Sequence, residues 1–223
     1  MRLPRRTPLR AIALAALAAS LFAAACDRAQ PSGGAPAPAP SAPPAQEQPA
    51  KSPAAAATVH ATFKQTSGTI KVRLATAEAP RLCMAFILLA ERGYFTGRRW
   101  TDFSPVVRQL GESLPVFSVP REFSPKLLFN EGGLLCASNT SEDKTARAKP
   151  NRIFLTVKEQ DRWNLQYVVF GKIEAGLPVA QSLSDGETVS EIVIEGDTSA
   201  LRARFAKDIA EWSKAIDGVG APR

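Results

Sequence analysis

The sequence has very little of the side-chain chemistry on which most catalytic and metal sites depend. Only one of its 223 residues is a histidine, His60, and only three are cysteines. Ser-His-Asp and Cys-His catalysis would both need that single histidine, so the sequence gives them little support. No histidines and cysteines have the spacing of a metal site, and we expect His60 to be a surface residue near the start of a strand.

The cysteines are also too few for a disulfide framework. Cys83 and Cys136 each lie inside an apolar run, Leu82-Cys83-Met84 and Leu135-Cys136-Ala137. In an oxidising compartment the two could pair. Buried free cysteines behave as small hydrophobic residues, and we expect this for both.

No hydrophobic run is long enough to cross a bilayer as a helix, which takes about 20 residues. The small, apolar segment from Ala11 to Ala25 follows four arginines and ends in Ala23-Ala24-Ala25-Cys26. A basic start, an apolar centre and small residues at the end are typical of a secretory signal. We therefore expect residues 1–25 to be a signal peptide.

The end of this segment also resembles a bacterial lipobox, whose cysteine is lipidated and becomes the first mature residue. Ala23 stands where a lipobox usually has leucine, and the alternative is an ordinary signal followed by an incidental cysteine. We expect lipidation of Cys26, because a lone cysteine lies at the cleavage point and a tether follows it. This predicts a periplasmic protein of the bacterial cell envelope, anchored to a membrane through Cys26.

Residues 26–57 have the composition of a disordered linker. They are rich in Ala and Pro, with eight prolines between Pro31 and Pro53, and they contain almost no bulky apolar residues. Such a segment has too little to bury and stays extended at about 3 Å per residue. We expect it to separate the lipid anchor from the folded part.

The charge of the mature chain excludes a strongly basic nucleic-acid binder. The whole sequence has 28 Lys and Arg against 21 Asp and Glu, a net charge of +7. Four arginines leave with the signal peptide, so 28 − 4 = 24 basic residues remain and the balance falls to +3. We expect no nucleic-acid partner.

Residues 58–197 have the pattern of many short strands and few helices, which predicts a barrel or a sandwich. Helices are predicted from Pro80 to Arg92 and from Leu177 to Leu183. The predicted strands are Val59 to Phe63, Gly68 to Leu74, Arg99 to Phe103, Val106 to Leu110, Leu134 to Ala137, Arg152 to Val157, Tyr167 to Ile173 and Ser190 to Ile194.

Residues 198–223 predict an amphipathic helical extension with Ser199 as its N-cap. Its apolar stripe consists of Leu201, Phe205, Ile209, Trp212 and Ile216. The helix from Pro80 is apolar on all sides, so it must be buried on all sides. Either the C-terminal helix or a partner chain covers the stripe of Met84 and Leu88, and we expect the C-terminal helix to do so.

Several segments, in this order, resemble the cyclophilin family of peptidyl-prolyl cis-trans isomerases. Glu78-Ala79-Pro80 resembles the start of the family's first helix, Gly93 to Gly97 its glycine-bracketed aromatic turn, and Gly133 to Asn139 and Tyr167 to Lys172 two of its strands. The resemblance implies an all-β fold, a closed eight-stranded antiparallel barrel capped by two helices. It implies isomerisation of proline-containing polypeptide segments during the folding of exported proteins. No cofactor is implied, because bond rotation needs none.

The resemblance also implies a set of site residues. Phe154 matches the floor of the proline pocket, Trp163 its rim, and Tyr167 the position of a rim histidine. Ser138, in place of alanine, and Asn139 match contacts to the substrate backbone. Gln109 matches the family glutamine if one residue is deleted after Pro105, and Arg152 stands where the family has glutamine.

The catalytic arginine of the family is not retained. The family turn continues Phe-His-Arg, and the matching residues here are Trp100, Thr101 and Asp102. A guanidinium stabilises the twisted peptide bond, and losing one such donor typically costs a factor of about 10²–10³. Arg152 or Arg108 could supply a donor from another direction, or Arg152 could form a surface ion pair with Asp102.

These departures leave two functions open. One is an isomerase with weakened activity. The other is an inactive cyclophilin-like domain that binds proline-containing segments or a partner protein.

Overall fold

The computed structural model describes residues 58–101, 104–112, 116–142 and 144–219. The signal peptide, Cys26 and the linker predicted for residues 1–57 lie outside the described residues, and so does Asp102. Their predicted roles remain sequence-based expectations.

The chain forms an eight-stranded antiparallel sheet that curls into a nearly closed barrel. Along the sheet the strand order is β3-β4-β6-β5-β7-β2-β1-β8. An antiparallel bridge between Arg99 and Thr188 connects the region of β3 to that of β8, the two ends of the sheet. The strands are β1 His60–Gln65, β2 Gly68–Leu74, β3 Trp100–Thr101, β4 Val107–Gly111, β5 Leu134–Asn139, β6 Ala148–Thr156, β7 Val168–Ala175 and β8 Val189–Glu195. This is the predicted architecture.

Successive residues of the strands point alternately into the barrel and out of it. On β6, Ile153 and Leu155 belong to the main core, whereas Phe154 belongs to a second apolar cluster. The same alternation places Val168 of β7 in the main core and Val169 in the second cluster. Both faces of this part of the sheet are therefore covered, and the second cluster lies on the outer face.

Within the described residues four α-helices accompany the barrel, namely α1 Pro80–Glu91, α2 Leu177–Ser182, α3 Ser199–Arg204 and α4 Ala206–Val219. Helix α1 packs against β6 and β8 and also contacts α3 and α4. Met84 is 0% exposed and Leu88 4% exposed within the single chain. The C-terminal helices therefore complete the burial of α1, as predicted, and no partner chain is needed to cover these two residues.

The C-terminal extension differs in detail from the prediction. It is broken at Phe205 into two helices, and Ser199 is the first residue of α3 instead of its N-cap. The side chain of Asp197 accepts a hydrogen bond from the backbone N–H of Ser199 at 2.8 Å. Phe205 is 3% exposed between the guanidinium groups of Arg81 and Arg204, so burial of its ring accompanies the break.

Strand β6 begins four residues earlier than predicted and contains Pro150. The pairing with β5 shifts here: Ala137 faces Ile153, but Ser138 faces Lys149. A bulge of this kind tolerates proline, because the bulged residues do not donate to the neighbouring strand. Strand β4 pairs with the other edge of β6, and its Gly111 has a φ of +100°. A Cβ at this position would lie 2.0 Å from the carbonyl oxygen of Asn151 in β6. The bulge therefore requires glycine at position 111.

Cys83 and Cys136 are free and fully buried, as expected. Burial raises the pKa of both thiols well above its ordinary value. His60 is partly exposed on β1 and lies 2.8 Å from a carboxylate oxygen of Glu174.

Candidate functional site

The candidate site lies on the outer face of the barrel, where the side chains that do not enter the core converge. Gln109 of β4 pairs directly with Phe154 of β6, and Phe154 pairs on its other side with Cys136 of β5. Side chains at paired positions point to the same face of a sheet. The register therefore brings Gln109 beside Phe154 and places the buried Cys136 on the same face.

Three aromatic rings form the centre of the site. Phe154 meets Trp163 edge to face, with ring centroids 6.0 Å apart, and meets Tyr167 at 5.4 Å. Trp163 and Tyr167 contact each other at 5.7 Å. Phe154 is only 5% exposed, whereas the other two rings are half-buried. Phe154 is thus a floor, and Trp163 and Tyr167 form the rim.

These rings enclose a cavity of about 130 Å³, which we call the aromatic pocket. Its other described lining residues are Val107, Gln109 and Ser138. The side-chain amide of Gln109 donates to the hydroxyl oxygen of Ser138 at 3.3 Å. The pocket is therefore apolar at its base, with polar groups along one edge.

A network of hydrogen bonds holds the loop that carries the rim. Trp163 ends a 3-10 turn, and its carbonyl oxygen accepts from the backbone N–H of Tyr167 at 3.2 Å. The side-chain amide of Asn139 donates to the carbonyl oxygen of Gln166 at 2.7 Å. Leu165 lies between Trp163 and Gln166 in the chain. Its backbone is in the left-handed region, with φ 61°, and the residue is 71% exposed. The rim loop is therefore held by a backbone hydrogen bond within the loop and by the side chain of Asn139 on the neighbouring strand β5.

A larger cavity of about 860 Å³ continues from the aromatic pocket, and we call it the polar cleft. It shares Gln109, Ser138 and Tyr167 with the pocket. The charged residues that line it are Arg121, Glu142, Lys144, Lys149 and Arg152. Burial, and then the charge of Arg152, lower the pKa of Lys149 below its ordinary value. The cleft is predominantly cationic among its described residues.

The structure brings most of the sequence-predicted site residues together. Gln109, Ser138, Phe154, Trp163 and Tyr167 line the aromatic pocket. Asn139 and Arg152 line the polar cleft instead. Asp102 lies outside the described residues.

Arg108 is directed elsewhere. Its guanidinium donates to the carbonyl oxygens of Ser104, Val107 and Gln181, and it lines neither cavity. The structure therefore gives no support to Arg108 as a replacement donor at the peptide bond.

Sequence reasoning missed several lining residues, notably Val107, Arg121 and Lys149. Val107 was detectable, because it lies two residues before Gln109 on the same strand and so shares its face. Arg121 and Lys149 depend on a loop path and a bulge that no short-range pattern indicates.

The described part of the chain offers neither a metal site nor a membrane-spanning helix. No group of three or more His, Cys, Asp and Glu there is arranged to hold a metal ion. No helix there is both long enough and apolar enough to cross a membrane.

Comparison with known proteins agrees with this architecture. The solved structure of a cyclophilin type peptidyl-prolyl cis-trans isomerase from Cryptosporidium parvum superposes with a TM-score of 0.56 at 20% identity, covering 63% of this chain and 99% of that one. The same protein in the presence of the dipeptide Ala-Pro gives a TM-score of 0.54 at 20% identity, covering 62% and 99%. At this identity the likeness establishes the fold alone.

Curated proteins match at the level of sequence. The peptidyl-prolyl cis-trans isomerase-like 1 of Aspergillus niger is 24% identical over 159 residues, covering 67% of this chain and 96% of that protein. The spliceosome-associated protein CWC27 homolog of Xenopus laevis is 30% identical over 125 residues, which span 49% of this chain and 24% of that longer protein.

The sequence profile described as "Cyclophilin type peptidyl-prolyl cis-trans isomerase/CLD" matches residues 59–199, well over half of the 223 residues. With the barrel and the pocket in place, this match shows that the chain belongs to the cyclophilin type peptidyl-prolyl cis-trans isomerase family.

Proposed function

We propose that this protein binds proline-containing segments of exported polypeptides and isomerises their prolyl bonds slowly. The observation that carries the proposal is the aromatic pocket, in which Phe154, Trp163 and Tyr167 surround a cavity of about 130 Å³. An apolar pocket with a few polar groups at its edge is typical of a small-ligand site. A pyrrolidine ring is apolar and compact, and it fits this description.

The chemistry requires no covalent step. Rotation about the peptide bond meets a barrier of about 18–20 kcal/mol, because resonance holds the bond planar. In the proposed complex the aromatic pocket fixes the proline ring while the preceding residue rotates. Gln109 and Ser138 lie at the polar edge of the pocket, where they can hydrogen-bond to the peptide backbone on either side of the bond.

The activity is proposed to be weak because of the charge at the reacting bond. In the resemblance to the family, Asp102 matches the position of the catalytic arginine. An ionised carboxylate cannot donate a hydrogen bond to the twisted peptide group. Among the described residues no arginine lines the aromatic pocket, since Arg152 lines the polar cleft.

The aromatic pocket, together with the absence of an arginine from its described lining residues, also favours a second candidate, a binding domain without turnover. In that case the aromatic pocket and the polar cleft hold an extended proline-containing segment or a partner protein. The solved relative studied with Ala-Pro supports proline-containing ligands for the family site, and so for either candidate.

The proposed location is the periplasm, with a lipid on Cys26 as the membrane anchor. It is supported by the signal-like residues 1–25, the cysteine that follows them and the proline-rich residues 26–57. A tether of that composition allows the domain to reach polypeptides some tens of ångströms from the membrane, at about 3 Å per residue.

Exchange spectroscopy on a proline peptide separates the two candidates. The cis–trans exchange rate of the peptide is measured with and without the protein, and affinity is measured on the same samples. Exchange accelerated by the protein and lost in Phe154→Ala supports the isomerase. Binding without acceleration supports the binding domain, and neither binding nor acceleration refutes both.

A further inference from the structure

A short segment, residues 116–122, connects the C-terminal helix to the barrel, and we call it the bracing segment. Its Phe117 stacks on Trp212 of α4, with ring centroids 5.2 Å apart and an angle of 8° between the rings. Trp212 is 7% exposed, so most of its surface is buried in this contact and against the core. Aromatic pairs of this kind have a preferred geometry and hold their partners in register.

The other end of the bracing segment is fixed at the start of α1. The two carboxylate oxygens of Glu122 accept hydrogen bonds from the backbone N–H groups of Arg81, at 3.2 Å, and Leu82, at 2.9 Å. These are N–H groups that a helix leaves without an internal partner. The Arg81 side chain in turn pairs with Asp208 of α4 at 2.5 Å. Helix α4 therefore supports the segment directly through Trp212 and indirectly through Arg81.

On its opposite side the bracing segment holds the beginning of β6. Val119 and Ala148 exchange two backbone hydrogen bonds of 3.0 and 2.9 Å. Arg147 donates to both the hydroxyl and the carbonyl oxygen of Ser118. Ala148 pairs with Asn139 in the sheet, and Asn139 lines the polar cleft. A chain of contacts thus links α4 to one wall of the cleft.

Arg121, in the same segment, links two parts of that wall. Its guanidinium donates to the carbonyl oxygens of Lys144, at 3.1 Å, and Gln166, at 3.4 Å. The carbonyl oxygen of Gln166 also accepts from Asn139. Arg121, Asn139, Lys144 and Gln166 all line the polar cleft. A displacement of the bracing segment would therefore move several cleft residues together.

From these contacts we infer that helix α4 positions the wall of the polar cleft, with Trp212 and Phe117 as positioning residues. The inference rests on the proposed function, because it concerns how that site binds peptide. It assigns the C-terminal helix a role in affinity for the residues that flank the proline. The aromatic pocket contains none of the bracing segment among its described lining residues, and its rim loop meets that segment at the carbonyl oxygen of Gln166, so we expect the proline subsite to depend on α4 less than the cleft does.

The test uses the full chain and two ligands of different length. The dipeptide Ala-Pro is short enough to occupy the aromatic pocket alone, whereas a peptide of eight or so residues around one proline also enters the polar cleft. Trp212→Ala is expected to weaken binding of the longer peptide about three- to tenfold, in the range seen for residues that couple a remote element to a site. Binding of Ala-Pro should stay within about twofold.

Two further variants separate positioning from general stability. Trp212→Phe keeps an aromatic ring against Phe117 and should restore most of the affinity for the longer peptide. Ile216→Ala trims a core-packing residue on the same helix and should leave both affinities unchanged. If Trp212→Ala fails to fold, Phe117→Ala replaces it, because it removes the same stack from the partly exposed side.

Three results would overturn the inference. They are unchanged affinity for the longer peptide in Trp212→Ala, an equal loss for both ligands, and an equal loss in Ile216→Ala. If the unmodified protein binds neither ligand, both the proposed function and this inference are refuted. That outcome is distinct from a wild-type protein that binds normally and is insensitive to position 212.

Discussion

Phe154 and Trp163 meet edge to face, with ring centroids 6.0 Å apart and an angle of 86° between the rings. They come from different kinds of structure. Phe154 lies in β6, held between β4 and β5, and Trp163 lies at the end of a 3-10 turn. The aromatic pocket therefore has a floor set by the sheet and a rim set by a separate loop.

Replacing the floor should abolish the pocket. Phe154→Ala removes a ring that is 5% exposed, which typically costs about 3–5 kcal/mol of folding free energy. It also removes the surface against which a proline packs, so the affinity for a proline peptide should fall at least about tenfold. Denaturant unfolding and calorimetric titration measure the two effects.

Val169→Ala is the matched control for this change. Val169 belongs to the same outer cluster as Phe154 and is 3% exposed, but it does not line the pocket. It should lose stability, by about 1–3 kcal/mol, and keep its peptide affinity. Equal loss of affinity in the two variants would show that affinity follows stability and not the pocket.

If the carboxylate of Asp102 is what makes prolyl isomerisation slow, an arginine at position 102 should increase the rate. Asp102→Arg should increase the rate of prolyl isomerisation by about 10²-fold, since a preorganised donor at a developing charge is worth that much. Asp102→Asn removes only the negative charge and should give a much smaller gain. The rates are measured by exchange spectroscopy on one peptide.

Arg152 should contribute little to the same rate. It lines the polar cleft and not the aromatic pocket, so Arg152→Ala should change turnover by less than about threefold and mainly affect peptide affinity. A complete loss of turnover in Arg152→Ala would show that this arginine replaces the family donor.

The ion cluster of Glu174 should make stability depend on pH in the acidic range. The hydrogen bond from His60, and then the charges of His60 and Arg73, hold the pKa of Glu174 below its ordinary value. A carboxyl group with a lowered folded-state pKa stabilises the fold above its unfolded pKa, and this contribution is lost as the pH falls through the folded pKa. Stability should therefore decrease on acidification below about pH 4.5.

Glu174→Gln should remove part of this dependence, whereas Glu159→Gln, on an exposed loop position, serves as its control. Chemical unfolding at a series of pH values measures the slopes. Identical slopes for wild type and Glu174→Gln would contradict the assignment.

The proposed lipidation of Cys26 predicts membrane attachment. Cys26→Ala should release the protein into the soluble fraction and abolish incorporation of labelled fatty acid. Cys83→Ala should keep both properties, because Cys83 is buried in the core. An unmodified protein that fractionates as soluble would exclude the anchor.

Much of the barrel could be predicted because its strands obey local rules. In β2 the alternation of Ile70, Val72 and Leu74 with charged residues fixes both the strand and its buried face. Because α1 is apolar on all sides, the sequence also predicted that another element packs against its outer face, and α3 and α4 contact it there. The predicted strand began only at Arg152, and the part of β6 that it missed contains Pro150, which is compatible with a strand only where a bulge frees its neighbours.

The site was predictable where the family resemblance located its residues, on the strands and also, at Trp163 and Tyr167, on the rim loop. Gln109, Ser138 and Phe154 lie at paired or neighbouring strand positions, and the resemblance located them. Arg121 could not be found in this way, since its place in the cleft depends on a loop braced by Trp212, nearly a hundred residues further along the chain. Contacts of that range leave no periodic signal in the sequence.

The most direct test of the central claim uses the three tryptophans as internal reporters. Trp163 lines the aromatic pocket, Trp100 is fully buried in the main core, and Trp212 belongs to α4 and stacks on Phe117. In an NMR titration with Ala-Pro, the indole N–H resonance of Trp163 should shift progressively to saturation while those of Trp100 and Trp212 stay in place. A Trp163 resonance that remains unchanged at millimolar peptide would contradict the account.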